Sequence, residues 1–164
     1  MATSNRPVVN PGAGAALDSA GVQHLLGFRL AMVDVQARRI FQRHIGAPFK
    51  LRPVEFTLLA LLLGNVAAAP KQISQTLQMP PPNVSVLLDR LAERGLVQRQ
   101  RSPTDGRAWQ ITLTAAGSEL AQRAHAISLT MESGLLAALS PGERALLQEL
   151  LAKLGRGAAD EAAG

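Results

Sequence analysis

Residues 101–117, RSPTDGRAWQITLTAAG, restrict the possible folds more than any other stretch of this chain. Pro103, Asp105 and Gly106 are turn chemistry: proline presets φ, glycine admits φ above zero, and aspartate bonds backbone donors within the turn. On one side stands LVQRQ. On the other stands AWQITL, where Trp109, Ile111 and Leu113 alternate with Ala108, Gln110 and Thr112. This pattern predicts two strands joined as a β-hairpin with an extended tip. Thr114 then caps a helix, so the hairpin runs straight into helical structure.

The remaining sequence predicts helices. Aromatic residues make up only 3% of the 164 and tyrosine is absent, so the core must be built from Leu, Ala, Val and Ile. Leu and Ala lose little on entering a helix. A first helix is expected from about Gly21 to Ile45, with Val22, Leu25, Leu26, Met32, Val33 and Ile40 on one face, ended by Gly46-Ala47-Pro48. Pro53 opens a second, VEFTLLALLLG, apolar nearly all round and stopped by Gly64-Asn65. A short helix from Pro70 to Leu77, the turn QMPPP, and a helix from Pro82 to Arg94 capped by Gly95 come next. After the hairpin, one helix is expected from Thr114 to about Leu139. The last starts at SPGE, where Ser140 and Glu143 make a capping box. Its Leu146, Leu150 and Leu154 form a stripe edged by Leu147 and Leu151.

The expected fold is therefore mainly α with a small β-hairpin wing (α+β). It is a winged helix-turn-helix whose N- and C-terminal helices form a dimerisation region. Its division is a mobile arm at 1–18, a dimerisation helix at 19–52 and the winged helix-turn-helix at 53–113. C-terminal dimerisation helices at 114–156 and a flexible tail at 157–164 complete it. So much apolar helix at both ends implies burial between two copies of the chain, a homodimer.

Charge sharpens the reading. The net charge is +5, and residues 71–110 hold six basic side chains, Lys71, Arg90, Arg94, Arg99, Arg101 and Arg107, against three acidic ones. From residue 111 onward the acidic groups outnumber the basic. A basic middle with an acidic end points to a polyanion partner at one face. Cysteine is absent, which excludes disulfides and thiolate metal sites, and His24, His44 and His125 share no metal-ligand spacing. No Ser/His/acid motif or phosphate-cradling glycine loop is present, so neither an enzyme nor a cofactor or metal is expected. No apolar run is long enough to cross a bilayer, and MATSNRPVVNPGAGAAL lacks the core of a signal peptide, so a cytoplasmic protein without a membrane partner is expected.

Major-groove dimensions admit an α-helix. On the helix from Pro82, Val84, Leu87, Leu88 and Leu91 define the buried side, and Pro82, Asn83, Ser85 and Val86 are left near its N-terminus to approach bases. Asn83 suits adenine, Ser85 bonds either way, and Val86 packs on a thymine methyl. Asn83 and Ser85 equally suit helix capping. Arg107 on a thin wing suits a narrow minor groove, with Asp105 bracing the turn. Arg99 and Arg101 would contact phosphates, and Lys71 and Gln72 complete the candidate double-stranded DNA contacts. Arg90 would either bind phosphate or pair with Asp105 or Glu93. A different class of reading is a dimeric winged-helix scaffold that contacts protein instead of DNA.

LLDRLAERGLVQR, SPTDGRAWQITLTAAG and LSPGERALLQELLAKL, in this order, resemble the multiple-antibiotic-resistance regulator (MarR) family over residues 22–155. Asp105, Arg107, Leu113, Thr114 and Gly117 fall at that family's spacing. The resemblance implies a homodimer, a pseudo-palindromic operator, and release by a small phenol or aromatic acid effector. The chain departs from the family pattern at Gln78, Pro81, Val86 and Gly106, which shifts weight from base contacts to groove shape and Arg107. Arg29, Gln36 and Arg43 recur every seven residues inside an apolar stripe, and a buried guanidinium needs a partner. Either an effector carboxylate meets Arg29 or Arg43, or a salt bridge forms across the dimer to Glu119 or Glu132. Met32 and Trp109 complete the candidate effector set, with Trp109 either a core residue or a pocket wall.

Overall fold

The computed structural model describes residues 17–101 and 108–161, with side chains described to residue 155. The chain falls into two bodies, one ending at Val35 and one beginning at Gln36. In the first, Asp18 Oδ1 accepts the Ala20 N–H at 2.9 Å, and a turn over 20–24 leads into helix α1, Leu26–Phe41. The helix therefore starts about five residues later than expected.

Gly46-Ala47-Pro48 does not stop the chain's helical path. A π-helical turn covers Gln42–Gly46, helix α2 covers Ala47–Phe49, and Lys50, at φ 53°, ends it. Proline is harmless there because it stands in the first turn of α2, where an N–H has no partner to lose. The Leu51 N–H reaches back to the Gly46 carbonyl at 3.0 Å, five residues away.

Helix α3, Pro53–Gly64, is the centre of the second body, as its all-round apolarity predicts: Leu58, Leu59 and Leu62 are buried. Helices α4, Pro70–Leu77, and α5, Pro81–Glu93, follow. The turn between them is closed by Gln78 at φ 50°, with the Met79 N–H bonded to Ser74 O at 3.0 Å and Ser74 Oγ donating to Met79 O at 2.6 Å. Gln78 thus adopts the left-handed backbone that glycine takes at no steric cost. Gly95, at φ 67°, ends α5 as predicted, with the Leu96 N–H returning to Leu91 O.

Strands β1, Val97–Arg101, and β2, Trp109–Leu113, pair antiparallel from Val97↔Leu113 to Arg101↔Trp109. Ala68 adds a third, one-residue edge by exchanging backbone hydrogen bonds with Ile111 at 3.1 and 2.9 Å. Ile111 is fully buried and Thr112 nearly so, leaving the Thr112 hydroxyl without a partner among the described residues. The expected alternation fails at this pair because both hairpin faces are covered there.

Helix α6, Ala115–Ser128, packs Ala121 and Ala124 into the core and lies against α3. Its cap is the one expected: Thr114 Oγ1 accepts the Gly117 N–H at 3.0 Å. The helix ends eleven residues short of Leu139, and residues 129–138 continue as hydrogen-bonded turns. Ser128 Oγ bonds the His125 carbonyl at 2.7 Å, and Thr130, Ser133 and Gly134 are poor helix formers. Helix α7, Pro141–Glu161, opens on the Ser140–Glu143 capping box, with Glu143 Oε2 accepting the Ser140 N–H at 2.8 Å. Those bonds hold the Glu143 carboxyl below its ordinary pKa. No helix among the described residues is long and apolar enough to cross a membrane.

Among the described residues two apolar faces are left exposed. Leu146, Leu147, Leu150, Leu151 and Leu154 on α7 are 39–53% exposed. Leu25, Leu26, Leu30, Met32 and Val33 are 42–55% exposed.

Gly117 is where α6 enters the body most tightly: a Cβ there would penetrate the Leu96 carbonyl, a backbone atom that cannot swing aside. Gly117→Ala should lower the unfolding free energy by about 2–3 kcal/mol in denaturant titration, the cost of overpacking a filled site. An unchanged midpoint would show that the contact relaxes freely.

Candidate nucleic-acid interface

Helix α5 presents its two sides as its sequence dictates. Val84, Leu87, Leu88 and Leu91 are buried, and Pro82, Asn83, Ser85, Val86 and Asp89 are exposed. Pro81 and Pro82 fit the first turn, where their missing N–H groups cost nothing. No side chain caps α5 at its N-cap, so Asn83 is not spent on capping. Ser85 Oγ donates to the Pro81 carbonyl at 3.2 Å. Val86 is 57% exposed, an isolated methyl pair in solvent.

The rear of α5 is fixed by a carboxylate. Glu55 lies on α3 and is only 2% exposed. Its Oε2 accepts the Arg52 N–H at 2.8 Å, satisfying an orphan donor at the start of α3. Glu55 Oε1 lies 3.7 Å from Arg90, and Oε2 lies 3.7 Å from Arg94. Arg94 also donates to Lys50 O at 2.9 Å and Phe49 O at 3.1 Å, tying the end of α5 to the end of α2. Arg90 pairs with Glu55, an acid the sequence reading did not consider for it, while Asp105, one of the two it did consider, lies outside the described residues.

The other candidate contacts divide as follows. Lys71 is exposed at the start of α4, and Gln72 Oε1 accepts the Ala69 N–H at 2.8 Å, bracing that helix start. Arg99, on β1, is bound to Asp89 of α5 at 2.6 Å. The Arg101 guanidinium lies 4.1 Å from the centroid of the Trp109 ring, a cation–π contact that leaves Trp109 47% exposed. Asp105 and Arg107, together with the turn residues Pro103 and Gly106, lie outside the described residues.

The candidate effector residues are placed separately in the two bodies. In the first, Arg29 Nε donates to the Gln23 carbonyl at 2.6 Å, and Met32 is half exposed. In the second, Gln36 and Arg43 are exposed. Of the two partners considered for those arginines, Glu119 and Glu132, Glu119 pairs with Arg123 on its own helix at 3.9 Å. Among the described residues no cluster of three His, Cys, Asp or Glu side chains could hold a metal ion.

Sequence reasoning missed Glu55, Arg94 and Asp89 as residues that place the site. One signal for Glu55 was present: it is the lone charge within VEFTLLALLLG. An isolated charge in an apolar helix is buried only with partners.

Short helix, left-handed turn, exposed-tipped helix and hairpin constitute a winged helix-turn-helix, the class of module that lays one helix in a DNA major groove. Comparison with known proteins narrows the class. A family model described as MarR family matches residues 49–108. The structure of the transcriptional repressor CouR bound to a 23-mer DNA duplex is 32% identical with a TM-score of 0.77, covering 86% of this chain and 99% of that one. Wild-type apo MarR from E. coli is 25% identical with a TM-score of 0.65, covering 79% and 96%. The putative transcriptional regulatory protein for the hcr operon of Thauera aromatica is 27% identical over 131 residues, 80% of this chain and 79% of its own length. The chain belongs to the MarR family and is a DNA-binding transcription regulator.

Removing the carboxylate tests its place in this arrangement. Glu55→Ala should cost about 2–3 kcal/mol of unfolding free energy, discounted from the loss of a fully buried pair because the Arg90 and Arg94 side chains are 40% and 30% exposed. Glu55→Gln keeps an acceptor for Arg52 and should cost about half as much. Equal losses in the two variants would assign the whole effect to the ion pairs with Arg90 and Arg94, and an unaffected Glu55→Gln would assign it to helix capping.

Proposed function

We propose that this regulator is a cytoplasmic repressor that binds a pseudo-palindromic operator as a homodimer. The observation that carries the reading is the exposed tip of α5, Pro82, Asn83, Ser85 and Val86, supported by four buried residues and the Glu55–Arg90 pair. A neutral tip offering an amide, a hydroxyl and methyl groups matches adenine edges and thymine methyls. Lys71, Gln72, Arg99 and Arg101 would meet phosphate, and Asp105 and Arg107 would form the wing's minor-groove contact.

In this reading residues 19–52 and 114–156 supply the dimerisation region, whose exposed leucines need a second copy. The two α5 helices would enter successive major grooves about 34–36 Å apart. A small phenol or aromatic acid would release the operator by favouring a dimer geometry that no longer fits this spacing, with Arg29, Met32, Gln36, Arg43 and Trp109 as its contacts. Such an effector must bind the two geometries unequally. No catalytic role is assigned. CouR, solved on a DNA duplex, favours DNA over a protein partner for this scaffold.

The test is fluorescence anisotropy on the DNA beside the protein's own gene, against a scrambled duplex of equal length. Asn83→Ala should weaken operator binding by about 1–3 kcal/mol and leave the scrambled duplex unaffected. Affinity should fall steeply as salt rises from low to moderate. Equal, salt-insensitive binding to both duplexes by the folded dimer would overturn the reading in favour of a scaffold.

A further inference from the structure

The hairpin ends in a cross-strand pair that its register builds in. Arg101 stands directly opposite Trp109, the last pair described before the wing tip. Side chains directly opposite each other on an antiparallel ladder lie within contact reach, and the Arg101 guanidinium stands 4.1 Å from the centroid of the indole. Trp109 nevertheless remains 47% exposed, a large ring that the body of the protein leaves half uncovered.

Two further observations give this pair a setting. Trp109 walls a cleft of about 390 Å³ together with Ser85 and Leu88 of α5, Pro70 at the start of α4 and Arg99 of β1. Ser85 belongs to the exposed tip of α5, so the ring and the tip border one cleft. The nearby arginines are also held differently. Arg90 and Arg94 face the Glu55 carboxylate, and Arg99 faces that of Asp89. A carboxylate cancels the charge it holds, whereas a ring holds a guanidinium through its quadrupole and leaves the charge in place. An arginine side chain carries much rotamer entropy, and a fixed ring beside it removes part of that freedom before a phosphate arrives.

We propose that Trp109 is a positioning residue for DNA binding: its ring holds Arg101 where the guanidinium meets a phosphate beside the tip of α5. A phosphate contact carries no sequence information, so the ring raises affinity for every duplex and adds no discrimination between them. Trp109 is considered above for an effector, and this role requires none. The proposal rests on the DNA-binding reading of the α5 tip and the hairpin, while the ring–guanidinium contact is a property of the protein without DNA.

The chain contains one tryptophan, so its fluorescence reports Trp109 alone. Without DNA, Arg101→Ala should shift that emission, and an unchanged spectrum would show that the contact is not held in solution and overturn the proposal. On operator and scrambled duplexes, Arg101→Ala should weaken binding alike and lower the slope of log affinity against log salt by about one. Trp109→Leu should weaken both by about twofold to fivefold, as expected for an exposed cation–π contact. It should lose nothing further in the Arg101→Ala background, and Trp109→Phe, which keeps a ring, should recover most of the loss. Undiminished binding by Trp109→Leu, a loss confined to the operator, or a loss that persists in full beside Arg101→Ala would each overturn the positioning role. If Trp109→Leu does not fold, the emission and the salt slope of Arg101→Ala decide alone. Normal operator binding with an unmoved slope in Arg101→Ala would overturn this proposal and leave the DNA-binding reading standing. A wild-type protein that holds the ring contact yet binds neither duplex would overturn both.

Discussion

The placement of α5 in the fold depends on one carboxylate. Glu55 is buried, so its charge has to be answered by protein groups, and the groups that answer it come from separate segments: the Arg52 N–H that opens α3, and Arg90 and Arg94 on the last turns of α5. Arg94 carries the connection on to the carbonyls that end α2. Apolar packing alone would let α5 rotate slightly about its axis, because leucines exchange neighbours at low cost. Ion pairs to a fixed carboxylate, together with the hydrogen bonds of Arg94 to the carbonyls that end α2, restrict that freedom. A helix whose first turn is exposed is thus anchored at its other end.

The same pairing changes the electrostatics of the surface. By sequence the middle of the chain is basic, yet Arg90 and Arg94 are committed to Glu55 and Arg99 to Asp89. Non-specific affinity grows with the number of phosphates neutralised, so arginines shared with carboxylates add less to it than their count suggests. What α5 offers in front is neutral: proline, an amide, a hydroxyl and valine. Discrimination then rests on fit and hydrogen bonding more than on charge, which is the direction in which the departures at Pro81 and Val86 point.

Elements bounded by strong backbone signals were legible in the sequence. Pro53, Pro70 and Gly95 are locked to their positions by φ or by a missing donor, and α3, α4 and the end of α5 fall where those residues put them. The Thr114 and Ser140 caps were legible for the same reason. Two boundaries were not. At residues 46–48 the backbone inserts a π-helical turn and carries past a proline, and at residue 128 side-chain bonding ends a helix that apolar periodicity would continue. The exposed tip of α5 followed from its 3.6-residue pattern. Its anchoring did not, since Glu55 and Arg90 stand 35 positions apart and nothing local records their meeting.

The uncovered leucines bear on how such a regulator is switched. A stripe of five half-exposed leucines along α7 is more apolar surface than an isolated chain in water tolerates. In the proposed homodimer, a second copy related by a two-fold axis would cover it with the same residues. In the proposed dimer, the separation of the two α5 helices would be set by leucine packing of this kind. Leucine packing is shape-dependent but not directional, so it admits alternative registers more readily than the Glu55 network does. Rigid reading heads joined through an adaptable apolar contact place the variable part of the molecule in the spacing between the heads.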